Sequence, residues 1–164
     1  FLIGNHEDRL DRYIADHAPA LSGRISTNAM LREDLGYNGL RWTIVPYRQH
    51  IKIGKVYFTH DVGHAGVSAV RASQASFEEN TVIGHVHRID YTVKGNAIGK
   101  PHIGAAFGWL GDPAQADYMY RVKVNREWSH GFGYGWIEED GTTFLLPAPI
   151  INGKVRVGEK LFRG

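Results

Sequence analysis

Apolar residues near the start of the chain recur every three or four positions. Leu10, Tyr13, Ile14, Ala18 and Leu21 fall on one side of a helix, with Asp8, Arg9, Asp11, Arg12 and Asp16 on the other. Pro19 should close or bend that helix. Ahead of it, Phe1-Leu2-Ile3 reads as the end of a buried strand. A second helix is expected from Thr27 to Leu35, capped by Ser26 or Thr27 and terminated at Gly36. Two strands follow, Leu40 to Val45 and Ile51 to Phe58, with a turn at Pro46. The stretch from Gly66 to Phe77 reads as helix, and Thr81-Val82-Ile83 as a short buried strand.

The last third differs in kind. Asp140-Gly141 and Asn152-Gly153 are two-residue hairpin signals, flanked by Gly135 to Glu139, Thr142 to Leu146 and Lys154 to Val157. Gly131-Phe132-Gly133-Tyr134-Gly135 alternates strictly and no helix follows it, which argues for a strand and against a nucleotide cradle. Gly95 to Asp117 reads as loop. Helices and strands alternate first and strands dominate later. The expected fold class is therefore α/β, a mixed α/β sandwich whose C-terminal third is a β-meander, in one domain over residues 1–164.

Composition narrows the chemistry. With 164 residues the chain can bury a substantial core, and its 43% apolar and 22% charged residues are those of an ordinary globular protein. A formal charge of +2 is too mild to point to nucleic acid. No stretch approaches the roughly 20 apolar residues of a membrane span, so no membrane partner and a cytoplasmic location are expected. The absence of cysteine excludes disulfides, thiolate metal sites and cysteine nucleophiles. A metal would be held by nitrogen and oxygen donors, and nine histidines are available.

Three segments concentrate that chemistry: Gly4-Asn5-His6-Glu7, Thr59-His60-Asp61 and Gly84-His85-Val86-His87-Arg88. Each follows a strand-like apolar run, and residues just past the ends of neighbouring strands converge on one rim of a sheet. In extended chain, His85 and His87 would point to the same side, as ligands of one metal or of two. A helix beginning after Gly4 would aim its free N–H groups at that rim, where an anion is favoured. Other roles compete. Asn5 can instead cap the helix, and Glu7 with Asp8 suits a helix first turn. His64 could touch a substrate, and Arg9 or Arg88 could reach a phosphate oxygen. His17, His50, His102 and His130 carry no partner pattern.

Gly4-Asn5-His6-Glu7 and Gly84-His85-Val86-His87 resemble two signature motifs of the calcineurin-like metallophosphoesterase superfamily, in the same order, with His60 placed like the lone metal-binding histidine between them. The resemblance spans Phe1 to Arg88. It implies a sandwich of the metallophosphoesterase type and a cofactor of two divalent ions of the manganese, iron or zinc class. Asn5, His60 and His85 would ligate one ion and His87 the other. His6 would be catalytic, acting at the leaving group and not on metal. The implied reaction is hydrolysis of a phosphate mono- or diester by attack of a metal-bound hydroxide. The partner would be a phosphorylated protein, a nucleotide or a nucleic acid.

The chain departs from that pattern in two ways. Asp61 stands where the superfamily usually has Gly, and a carboxylate beside an anionic substrate is unhelpful unless it points away. The superfamily's Asp-x-His and Gly-Asp-x-x-Asp motifs, which normally precede Gly-Asn-His, are absent. The expectation is that the native protein continues upstream of Phe1 by a half-domain carrying both. The alternative is a truncated or degenerate relative without activity, serving as a binding or structural module. A single-zinc hydrolase using His60, His85 and His87 would leave Asn5 and His6 unexplained.

Overall fold

A computed structural model describes residues 1–36, 41–95, 97–112 and 128–164. Helix α1 spans Asn5–His17 and α2 spans Thr27–Gly36, with a short 3-10 turn at Pro19–Leu21 between them. Pro19 does end the first helix, as its fixed φ and missing N–H require. At the α2 N-terminus Ser26 Oγ accepts from the Ala29 N–H at 3.2 Å, so Ser26 is the cap. Thr27 ties the two helices together, its N–H donating to Asp11 Oδ1 at 2.7 Å and its hydroxyl to the Glu7 carbonyl at 2.9 Å. Only Ile14 of α1 is buried; Leu10 and Tyr13 lie exposed, contrary to the apolar face expected of them.

Next in chain order come β1 (His50–Ile53), β2 (Val56–Thr59), α3 (Ala69–Phe77), β3 (Asn80–Ile83), β4 (Ile89–Gly95) and β5 (Pro101–Phe107). These strands form one mixed sheet in the order β1-β2-β3-β5-β4. β2, β3 and β5 run parallel, while β1 and β4 are antiparallel edges. The expected strand Ile51 to Phe58 is in fact a tight hairpin, because Gly54 takes a φ of +57° and reverses the chain. Of the expected strand Leu40 to Val45, Leu40 lies outside the described residues, and Val45 makes only an isolated parallel bridge with Leu2. β5 runs through the stretch expected to be loop, and residues 96 and 113–117 of that stretch lie outside the described residues.

α3 begins at Ala69, three residues inside its expected start, since Gly66 at φ +76° is already committed to a turn. It packs on the sheet through Ala69 and Val70, which share a core with Ile83, Val86 and Ala106. Small residues on β5 admit the helix closely. A Cβ on Gly104 would lie 3.0 Å from that of Gln74, whose buried amide donates to the His102 carbonyl at 2.8 Å.

Two antiparallel ribbons complete the described chain: β6 (Gly131–Ile137) with β7 (Thr143–Pro149), and β8 (Lys154–Val157) with β9 (Lys160–Arg163). Asp140-Gly141 lies in the connection that closes the first, but Ile137 pairs with Thr143, so the loop is longer than the two-residue turn expected. Asn152-Gly153 is closed by Ile151 and Lys154 alone, and the second hairpin turns at Gly158-Glu159 instead. The C-terminal third is thus two separate ribbons and not one continuous meander sheet. The glycine alternation in β6 has a steric cause, for a Cβ on Gly133 would sit 2.2 Å from Phe107 Cδ2. The fold is mixed α/β, with one five-stranded sheet and two small ones. No described helix is long and apolar enough to cross a membrane.

Candidate metal centre

Register between β2 and β3 builds the site. Thr59 pairs with Ile83, so the residues that follow, His60 and Gly84, leave the sheet side by side. The Gly84 N–H donates back to the carbonyls of Thr59 and His60, at 3.2 and 3.0 Å. From the other side, Phe1 to Ile3 pairs with Val45 and delivers Gly4 and the first turn of α1 to the same rim. Gly4 has to be small. A Cβ there would lie 2.8 Å from both His60 Cε1 and Glu7 Oε2. Its N–H is capped by that Glu7 carboxylate at 2.9 Å, which confirms the helix-start role of Glu7.

Asn5 is the first residue of α1, so its side chain does not cap the helix but turns to the histidines. His60 Nε2 lies 2.9 Å and His85 Nδ1 3.2 Å from Asn5 Oδ1, each donating in the tautomer this geometry selects. The two imidazoles meet edge to face, with centroids 5.4 Å apart. Asp61 joins them. Its Oδ1 accepts from the Gly63 N–H at 2.8 Å, whereas Oδ2 is buried, has no hydrogen-bond partner among the described residues and lies 4.0 Å from His85 Nδ1.

One ligand atom from each of His60, Asp61 and His85 lies within 4.8 Å of the others, and this group can hold a metal ion. Ligands about 2.1 Å from one ion stand up to about 4.2 Å apart, so small side-chain adjustments suffice. The donor chemistry fits too: two neutral imidazoles, a carboxylate and an amide oxygen suit a divalent transition ion. A buried carboxylate oxygen without a partner is costly, and a cation is what such a site accommodates. Asp61 thus joins the donor group, whereas the sequence shows it only as a departure from the motif. Its signal was present, as a carboxylate next to a candidate ligand, but the sequence does not reveal which way it points.

Burial lowers the pKa of His60 below the ordinary value, and neighbouring His85 adds to the effect. Burial likewise lowers that of His87, again with His85 contributing, and lowers that of His6 together with Arg9. Neutral imidazole, the form that binds metal, is favoured at all three.

The remaining expectations separate. His85 and His87 both take left-handed backbone, with φ of 43° and 52°, so this segment is a turn and the extended geometry expected for the pair does not hold. His87 stands outside the donor group, stacked on Trp109 at 5.5 Å and edge to face with Trp128 at 4.5 Å; its Nδ1 is buried without a partner among the described residues. His6 is exposed, next to the group in sequence but not among its donors, and faces an open pocket with Leu10, Met30 and Asp34. His64 meets Ser76 at 3.2 Å, and Arg88 donates to the Gly66 carbonyl at 2.7 Å. His17 stacks on Tyr13, His50 packs between Tyr57 and Phe77, His102 is buried, and His130 leans on Trp109. No family model, curated protein or solved structure matches the chain, so the case for a function stands on this cluster of donors.

Proposed function

We propose that the chain belongs to a metal-dependent phosphoesterase that hydrolyses phosphate mono- or diesters. The observation that supports this reading best is the buried, unpartnered Oδ2 of Asp61 beside His60, His85 and Asn5. The four side chains would hold one divalent ion, and His87 would contribute to a second. Such ions supply charge neutralisation at the phosphoryl oxygens and a nucleophile at neutral pH. The protein's own part is positional. Gly4 and Gly84 let His60 sit against the backbone, a Cβ on Gly84 lying 3.2 Å from its Nδ1. Both ring nitrogens converge on Asn5 Oδ1, and a bound ion would take the place of their two N–H donors, with the amide oxygen joining them as a ligand. His6, at the open edge, would give a proton to the departing alkoxide from its protonated form, which its burial and the neighbouring Arg9 make the minority form at neutral pH.

The test is a manganese or zinc titration coupled to an assay with a nitrophenyl phosphate mono- and diester. Metal binding that depends on His60, Asp61 and His85, with hydrolysis that depends on the metal, is the expected result. Metal binding without turnover would leave the site as the anchor of a binding module.

A further inference from the structure

A cleft of about 470 Å³ opens directly beside the donor group, and His85 lines both. That volume falls in the range of small-molecule sites. Its other walls include Gly66, Val67, Arg88 and the Trp128 indole. The indole is held firmly. Trp128 meets His87 at 4.5 Å and Trp109 at 5.0 Å, both edge to face, while the neighbouring Ser129 N–H donates to the His87 carbonyl at 3.0 Å. Opposite chemistry comes from Arg88, whose guanidinium is tethered to the Gly66 carbonyl at 2.7 Å and to Asp90 at 3.6 Å. A rigid indole and a fixed planar cation, next to a metal-binding group, are the elements that stack and orient a flat heteroaromatic ring attached to a phosphate.

We infer that this cleft receives the base of a nucleotide phosphate ester, the base packing on Trp128 while its phosphate lies toward His85. The inference deepens the phosphoesterase reading and rests on it for the position of the phosphate. Free nucleotides and single-stranded nucleic acid share the required chemistry. An aliphatic phosphate, such as a phosphoserine peptide, lacks the ring that Trp128 would engage.

Calorimetric titration of the chain with AMP, ribose 5-phosphate, a phosphoserine peptide and inorganic phosphate, each with manganese and with chelator, tests it. AMP should bind about tenfold or more tightly than ribose 5-phosphate, since stacking on one aromatic side chain is worth about five- to hundredfold. Trp128→Ala should erase that difference, Trp128→Phe should keep most of it, and Val67→Trp, at an exposed position, should weaken AMP by filling the cleft. A short single-stranded DNA that binds better than AMP identifies the polymer as the source, and the reverse identifies the free nucleotide. Equal binding of AMP and ribose 5-phosphate, a peptide that matches AMP, or indifference to both Trp128→Ala and Val67→Trp overturns the inference. If AMP binds in chelator but manganese adds nothing for inorganic phosphate, the phosphoesterase reading fails while the base site stands.

Discussion

His60 and Asn5, 55 residues apart in sequence, meet at 2.9 Å, ring nitrogen to amide oxygen. That one contact joins the end of a sheet strand to the first turn of α1. It makes the metal group a property of the tertiary fold and not of any one segment.

Removing the carboxylate should therefore be felt at the metal. Asp61→Asn keeps the side-chain shape and its link to Gly63 but removes the charge, and it should weaken manganese or zinc binding about tenfold or more. His85→Ala should cost at least as much, and His17→Ala, at an exposed site in α1, should cost nothing. Calorimetric titration of the three variants decides it; equal effects would dissolve the site.

Gly4→Ala should act on the metal without replacing a donor. Its φ of −92° and ψ of 178° suit alanine, so the helix start survives. The added methyl, 2.8 Å from His60 Cε1, must push the imidazole away. Metal affinity should fall several-fold while the helical circular dichroism signal stays at its original strength.

The pH dependence of stability has a definite sign. His60 and His87 are held below the ordinary histidine value of 6.5, so the unfolded chain takes up protons before the folded one does. Stability should be full above about pH 6.5, decline as the pH falls below it, and level off once the folded pKa values are passed. Urea midpoints from pH 8 to pH 5 measure this, and His60→Asn should flatten the slope. A midpoint that rises toward acid would contradict the burial of both rings.

His6 offers a separation of roles. Because it is not among the donors, His6→Asn should leave metal content unchanged. Within the phosphoesterase reading it should lower kcat by about a hundredfold or more, and most for esters with poor leaving groups. Loss of metal from this variant would make His6 a ligand instead.

The strand ends that carry His60 and His85 are legible in the sequence because Val56-Tyr57-Phe58 and Thr81-Val82-Ile83 are short apolar runs. β5 is not, for its centre is Gly104-Ala105-Ala106. Small residues look like loop when read alone, yet they are what lets α3 lie close on the sheet, with Ala105 and Ala106 fully buried. The left-handed backbone at His85 and His87 was equally hidden, since residues with a Cβ seldom take it. Side-chain direction at Asp61 depends on the Asp61–Gly63 turn, which no local pattern announces. In α1 the reverse happened: the periodicity of Leu10, Tyr13 and Ile14 was correct for a helix, but only Ile14 is buried.

Val86 sits between the two left-handed histidines and belongs to the apolar core with Ala69, Val70, Ile83 and Ala106. Each such non-glycine conformation costs about 1 kcal/mol, and the insertion of Val86 holds the turn in place against that cost. Core and site thereby share one free energy. A cavity cut beneath the turn, as by Val70→Ala, should relax the histidines and loosen a bound ion. By reciprocity, an ion held by His85 should slow hydrogen exchange in α3, which itself carries no donor atom.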